Sequence, residues 1–444
     1  MSFFNISNGR HSEWKGYEKA ALRFFFIYFI IQAVPLDWKF YRHLFSINWL
    51  HLNFYDLFSL SKYAPQFFGI SGFGNWLIAA AIAAVGAIIW QFAQKREPDY
   101  DNLHYWLRVI LRYRLAIGII AYGLIKLFPL QMPYPSLSNL HTNYGDFFAW
   151  KIYFHTIGIT QGYEAFLGLV EILASVLLFF RRTTTFGTGI ILGFTGNVLA
   201  ANFAYDAGEQ VYSAYLVVIA LFLFVYDVPR LFNLLIQQQY TIANKFEPVF
   251  ADRNLKKLRI GLRVIFVAFV VLLGFTTYAN YVNGPYKLPQ TPGIKGSYGY
   301  YNVKEFRFNG QTIPYSTTDS NRWQNVVFEK WATISIKIAK PIKPDNDTGE
   351  GYYENDIDRN FESAGVGGRK YYAYTPDSLS RTIVLKNKNK NYKEEGFKLT
   401  YSQPNDSTII LKGVNEKKDS VYAELNRINR KYLLFEGRRK PIKL

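Results

Sequence analysis

Cysteine is absent from all 444 residues. That absence removes disulfides, thiol redox relays, Cys-ligated zinc and iron–sulfur clusters. Histidine is scarce: His11, His43, His51, His104, His141 and His155 are the whole set, and none pairs with another at i, i+4 spacing. A transmembrane haem with paired His ligands therefore has no support, and no metal site is expected. No H-E-x-x-H, Walker loop or nucleophile elbow appears. The acidic run 345–358 lacks the spacing of an EF-hand and reads as a solvated loop. Acidic residues are outnumbered, 33 against 51 basic, for a net charge of +18. Such a balance can suit nucleic acid, but the basic residues before about 283 cluster at the ends of apolar segments. No nucleic-acid partner is expected.

What the chain has in quantity is apolar surface, 50% of residues, with 18% aromatic. The mean hydropathy is near zero because two unlike regions are averaged: a greasy one, 1–283, and a polar one, 284–444. Each is large enough to hold its own core. At roughly 20 apolar residues per crossing, about seven transmembrane helices are expected, near 17–36, 74–94, 105–128, 162–180, 184–204, 210–229 and 259–281. In the first, the apolar run from about Ala20 follows Lys15 and Lys19 and is followed by no small-residue cleavage motif, so it reads as a retained signal anchor. Lys95, Arg96, Arg108, Arg112, Arg114, Arg181, Arg182 and Arg230 fall in alternate connections, whereas 206–209 carries no Lys or Arg. The positive-inside rule then puts the N-terminus in the cytoplasm and the C-terminal region outside. The aromatic stretch 43–68 is only moderately apolar and reads as interfacial helices on the outer face.

After 283 the apolar period becomes two. Segments 302–308 and 312–315 flank Asn309-Gly310, a specific hairpin signal. Further strands are expected at 324–338, 370–374, 382–386, 398–402, 408–412, 421–425 and 432–435. The fold class is thus a multi-pass α-helical membrane bundle followed by a mostly antiparallel β domain. The β domain reads as a meander closing into a barrel or sandwich, a lipocalin-like cup being one form.

Within the bundle, Glu171 lies near the middle of the apolar segment 163–180. A carboxylate there costs a few kcal/mol unless paired, neutralised or facing water, which makes it a functional-site candidate. On the expected topology it sits about nine residues, roughly 13 Å, below the outer end of its helix. Asn197, Asn202, Tyr205 and Asp206 on the next helix, Lys126 and Gln131 from the preceding one, and Tyr163 above Glu171 all fall in the same half. They suggest a polar pocket opening outward, with Glu171 as a proton relay and the others as ligand-binding groups. A quinone suits such a pocket, its ring needing flat apolar walls and its carbonyls one or two donors. The competing reading is a buried network that only holds helices together.

Residues 112–231 resemble the DoxX family of bacterial membrane proteins. The resemblance rests on Tyr122-Gly123, the run from Lys126 through Pro129 and Gln131 to Pro133, Leu140, Tyr144-Gly145, Gly162-Tyr163, Gly168, Glu171, Arg181-Arg182-Thr183, Gly187, Asn197-Val198, Asn202, Tyr205-Asp206, and Asp227 to Arg230. It implies a four-helix core, residence in the bacterial cytoplasmic (inner) membrane and, for some relatives, a subunit role in quinone-linked oxidation of sulfur compounds. Two classes of function follow. One is a membrane oxidoreductase or its quinone-facing subunit. The other is a non-catalytic envelope scaffold whose periplasmic β domain binds a protein partner or lipid.

Overall fold

The computed structural model describes residues 6–7, 10–11, 14–68, 72–241, 246, 253–284, 289–347 and 355–436, and the chain divides into two compact units. The centre of the acidic run, 348–354, lies outside the described residues. In chain order, a short hairpin of β1 (Ile6–Ser7) and β2 (Arg10–His11) precedes α1 (Gly16–Ala33), α2 (Trp38–Ser46), α3 (Phe54–Ser61), α4 (Gly74–Ala93) and α5 (Tyr100–Leu127). Then come α6 (Leu137–Leu140), α7 (Ala149–Gly158), α8 (Gln161–Phe179), α9 (Thr184–Tyr205), α10 (Gln210–Val225), α11 (Val228–Leu235) and α12 (Arg253–Asn283).

The helical unit takes 1–130 and 162–283. Among the described residues, five helices are long and apolar enough to cross a membrane: Gly16–Ser46, Gly74–Ala93, Gln161–Phe179, Arg181–Tyr205 and Lys257–Asn283. The bent pair α10 and α11 makes a sixth if the two form one span. The expected crossing at 105–128 is of another kind. It belongs to α5, which is 28 residues long but carries Asp101, Arg108, Arg112, Arg114 and Lys126. Protein surrounds this helix: Leu107, Leu111 and Leu115 are fully buried in one core with Leu22, Phe29, Leu178, Ile191 and Leu216. Its charges have partners on other elements. Arg114 donates to the carbonyls of Ser61 (3.0 Å) and Tyr63, Arg108 faces Asp227 at 3.7 Å, and Lys126 meets Glu171. The stretch 43–68 also departs from a purely interfacial role. No residue of α2 is buried, but Leu57 of α3 packs with Ile120, Ala121, Leu124 and Leu273.

The second unit takes 131–161 and 284–444. Segment 131–161, expected to go with the helices, therefore folds with the strands. These are β3 (Gly299–Phe308), β4 (Gln311–Thr312), β5 (Asn325–Phe328), β6 (Thr333–Lys337), β7 (Lys370–Asp377), β8 (Thr382–Asn387), β9 (Gly396–Asn405), β10 (Thr408–Asn415) and β11 (Ser420–Arg427), ending in the one-turn α13 (Leu433–Glu436). All pairings are antiparallel, and β11 pairs back onto β3 from Val421↔Phe308 to Arg427↔Tyr301, closing an eight-stranded barrel to which β4 is appended. Asn309 and Gly310 both take positive φ, +49° and +80°, as a two-residue hairpin turn requires. The expected single strand 324–338 is split: the chain turns after Phe328 so that β5 and β6 pair with each other. The expected strand 432–435 is α13.

Alternation sets the barrel interior. On β8, Ile383 and Leu385 are buried, whereas Val384 and Lys386 are exposed. With Tyr301, Phe306, Trp323, Phe328, Ile334, Ile336, Tyr372, Leu399, Leu411 and Leu425 they form one core. Eight strands give an interior that side chains alone can fill, and the rings of Tyr301, Phe306, Trp323, Phe328 and Tyr372 belong to this core.

Candidate functional site

Two polar clusters stand out, one in each unit. In the helical unit, α5 and α8 touch backbone to backbone at two glycines. A Cβ at Gly168 would fall on the backbone of Leu127 and Gly123, and one at Gly123 would lie 3.0 Å from the carbonyl of Gly168. One turn along each helix from this contact, Lys126 Nζ donates to Glu171 Oε1 at 2.5 Å, with side chains only 6% and 4% exposed. Tyr122 places its ring 5.8 Å from the ammonium. The other carboxylate oxygen, Glu171 Oε2, is buried without a hydrogen-bond partner among the described residues. Ser175, one turn further on the same face of α8, has its hydroxyl in the same condition.

The remaining expected site residues do not all join this pair. Asn202 is buried but donates to Ser213 Oγ on α10 at 3.0 Å. Asp206 caps the end of α9 in the left-handed conformation, φ +52°, and accepts from Gln210 at 2.9 Å. Asn197 is exposed on α9. Five residues separate it from Asn202, about 140° around a helix, so the two amides cannot face one chamber. Tyr163 and Tyr205 are also exposed, Tyr163 lying against Phe166. Gln131 belongs to the second unit. Among these groups the helical unit brings together Lys126 with Glu171 and, separately, Asn202 with Ser213.

The second cluster was not evident in the sequence. A hydrogen-bond chain runs through the interior of the β unit: Arg369 Nε donates to Ser335 Oγ (2.9 Å), Ser335 to Ser138 Oγ (2.8 Å), and Ser138 to Glu329 Oε1 (2.6 Å). All four side chains are buried. The backbone amides of Ser138 (2.7 Å) and Leu137 (3.3 Å) also donate to the Glu329 carboxylate. Burial, and Glu362 nearby, push the Glu329 carboxyl up; these donors pull it back. Asn139 donates to the Glu362 carbonyl at 3.0 Å and to Tyr371 OH at 3.1 Å. Lys151 of α7 is fully buried, donates to the carbonyl of Phe361 and lies 3.5 Å from the centre of that ring. The Glu362 carboxylate sits 3.7 Å from Lys388. His141 stacks on Tyr300 at 3.7 Å, and burial with Arg369 and Arg430 nearby lowers it to about 4. The signal available in the sequence was Trp150, Phe154 and Ile157, too much apolar surface for a solvated connection, all buried here.

Burial holds Lys151 well below the usual amine range, and Lys388 is lowered for the same reason. The unfolded chain therefore binds protons that the native state does not, and stability contributed by these groups grows as pH rises toward the ordinary lysine range. Unfolding of the β unit in the intact protein, followed by its tryptophan fluorescence, is expected to become harder between pH 7 and 9. Lys151→Met should flatten that rise, with its largest relative gain at pH 7. A variant whose pH dependence matches the parent would show that Lys151 is charged in the native state.

No protein-family model matches the chain, and no solved structure matches it. The uncharacterized protein YwoB of Bacillus subtilis (strain 168) is 33% identical over 118 residues, which are 26% of this chain and 73% of that protein. Identity at that level over most of YwoB is decisive for kinship: the chain belongs to the same family as YwoB.

Proposed function

We propose that the chain is an integral inner-membrane protein of DoxX-like type, a membrane subunit of quinone-linked oxidation. In this reading Lys126 and Glu171 receive the polar head of a membrane-soluble ligand. One observation carries it: Glu171 keeps a buried carboxylate oxygen with no hydrogen-bond partner among the described residues, beside an ammonium that already holds the other oxygen. An unmatched buried acceptor calls for a donor, water or ligand group. A quinone fits because Lys126 can donate to a carbonyl of the ring, and Glu171 can pass on one of the two protons that reduction demands, the two electrons coming from a partner redox subunit. The N-terminus is placed in the cytoplasm and the β unit outside, in accord with the Lys and Arg bias of the connections.

Glu171→Gln is expected to leave membrane abundance unchanged while weakening binding of an added quinone analogue in nanodiscs by about tenfold or more, the loss of one charge-assisted bond. Unchanged binding with normal folding ends this reading. A second reading, a non-catalytic envelope scaffold whose β unit docks a protein partner or lipid, draws on the filled barrel core, which leaves the outer surface of that unit as its working part. Retention of a stoichiometric protein partner on gentle extraction, without quinone, would favour it.

A further inference from the structure

The chain bends by 62° between α10 and α11, and the corner is fastened. Asp227 accepts from Thr185 Oγ1 at 2.6 Å and faces Arg108 Nη2 at 3.7 Å. The Arg108 guanidinium lies 3.6 Å from the centre of the Tyr226 ring. Residues of α5 and α9 thus fix the direction in which α11 leaves, and Pro229 suits the first turn of a helix that begins anew. Steps of 100° put Val228, Leu231, Phe232 and Leu235 on one face of α11 and Arg230 with Asn233 on the other. None of its residues is buried. Phe232 is 50% and Leu235 66% exposed, and Ile236 just beyond is 69% exposed.

An apolar face of that kind marks an interaction surface, and its surroundings indicate with what. Leu221 and Val225 are exposed on α10, so open apolar surface continues up to the corner. Arg182 and Arg230 are exposed, and the Thr185–Asp227 bond gathers them at one end of the bundle. Apolar surface edged by cations of a single sign is complementary to an anionic lipid interface. We infer that α11 lies in the plane of the bilayer surface, its Phe232 and Leu235 face in the acyl boundary and Arg182 and Arg230 on anionic phospholipid headgroups. This rests on the membrane placement proposed above, and the test separates the two.

The lack of native cysteine allows single labels without background. The full chain, carrying Leu221→Cys, Phe232→Cys, Asn233→Cys or Leu235→Cys with a fluorescent label, is placed in nanodiscs of phosphatidylcholine with or without phosphatidylglycerol. Brominated lipid is expected to quench labels at 221, 232 and 235, and aqueous iodide the label at 233. Phosphatidylglycerol should strengthen lipid quenching at 232, and Arg182→Gln with Arg230→Gln should abolish that gain. Iodide quenching of 232 and 235 equal to that of 233, with 221 still quenched by lipid, overturns the surface helix and leaves the bundle in the membrane. Labels at 232 and 235 shielded from both quenchers mean a protein partner and overturn it as well. Iodide quenching at 221 sinks the membrane placement itself, and equal lipid quenching in both lipid mixtures removes the headgroup assignment.

Discussion

A chain cut to residues 284–444 is expected to remain unfolded, although it contains every strand of the barrel. Leu137, Ser138, Asn139, Trp150, Lys151, Phe154 and Ile157 are all buried, and all belong to the segment 131–161 that folds with the strands. Removing it takes away three buried apolar side chains of α7, each worth about 1.5–3 kcal/mol when fully buried, and exposes the surface they covered. It also strips the Glu329 carboxylate of three hydrogen bonds. Those losses together match the whole stability of an ordinary domain, about 5–15 kcal/mol. The same strands fused through a flexible linker to 131–161 should recover sharp unfolding and dispersed amide resonances. A soluble, cooperatively folded 284–444 fragment would show that the segment is only an attachment.

Within that unit the largest single-residue effect is expected from Glu329→Ala. The substitution leaves two backbone amides, of Leu137 and Ser138, and one hydroxyl buried without an acceptor. It also leaves the buried Arg369 guanidinium without the carboxylate at the far end of its serine relay. Breaking one side of such a buried arrangement costs about 3–5 kcal/mol. Glu329→Gln keeps an acceptor in place and should lose clearly less. Denaturant unfolding of the full chain, read from the tryptophans of the β unit, measures both. An Ala variant as stable as the parent would mean that water replaces the carboxylate, and that the chain of hydroxyls fixes no geometry.

Much of the fold was legible because its signals are local. Asn309-Gly310 between two alternating runs specifies a hairpin, and apolar runs of helix length declare themselves. Whether the strands close is a long-range fact, settled by the β11–β3 pairing across more than a hundred residues. The membership of 131–161 is of the same kind, since Ser138 and Glu329 are 191 positions apart and no periodicity records their contact. For the candidate site, Lys126 and Glu171 were legible together because a charge in an apolar helix demands a partner. The amides were not. Small residues such as Gly189, Gly193 and Gly196 leave the inner face of α9 undecided by hydropathy, and only packing shows that Asn202 turns inward and Asn197 outward.

The shared fold of 131–161 and 284–444 also constrains how the chain threads a bilayer. Under the membrane placement proposed above, two pieces of one folded body emerge on the same side, which makes the number of traverses between residues 161 and 284 even. If α8, α9 and α12 each traverse, parity requires a fourth, and α10 with its bent continuation α11 is the only remaining stretch of helix described there. On that placement, α10 supplies the passage and ends at the corner where α11 turns along the surface.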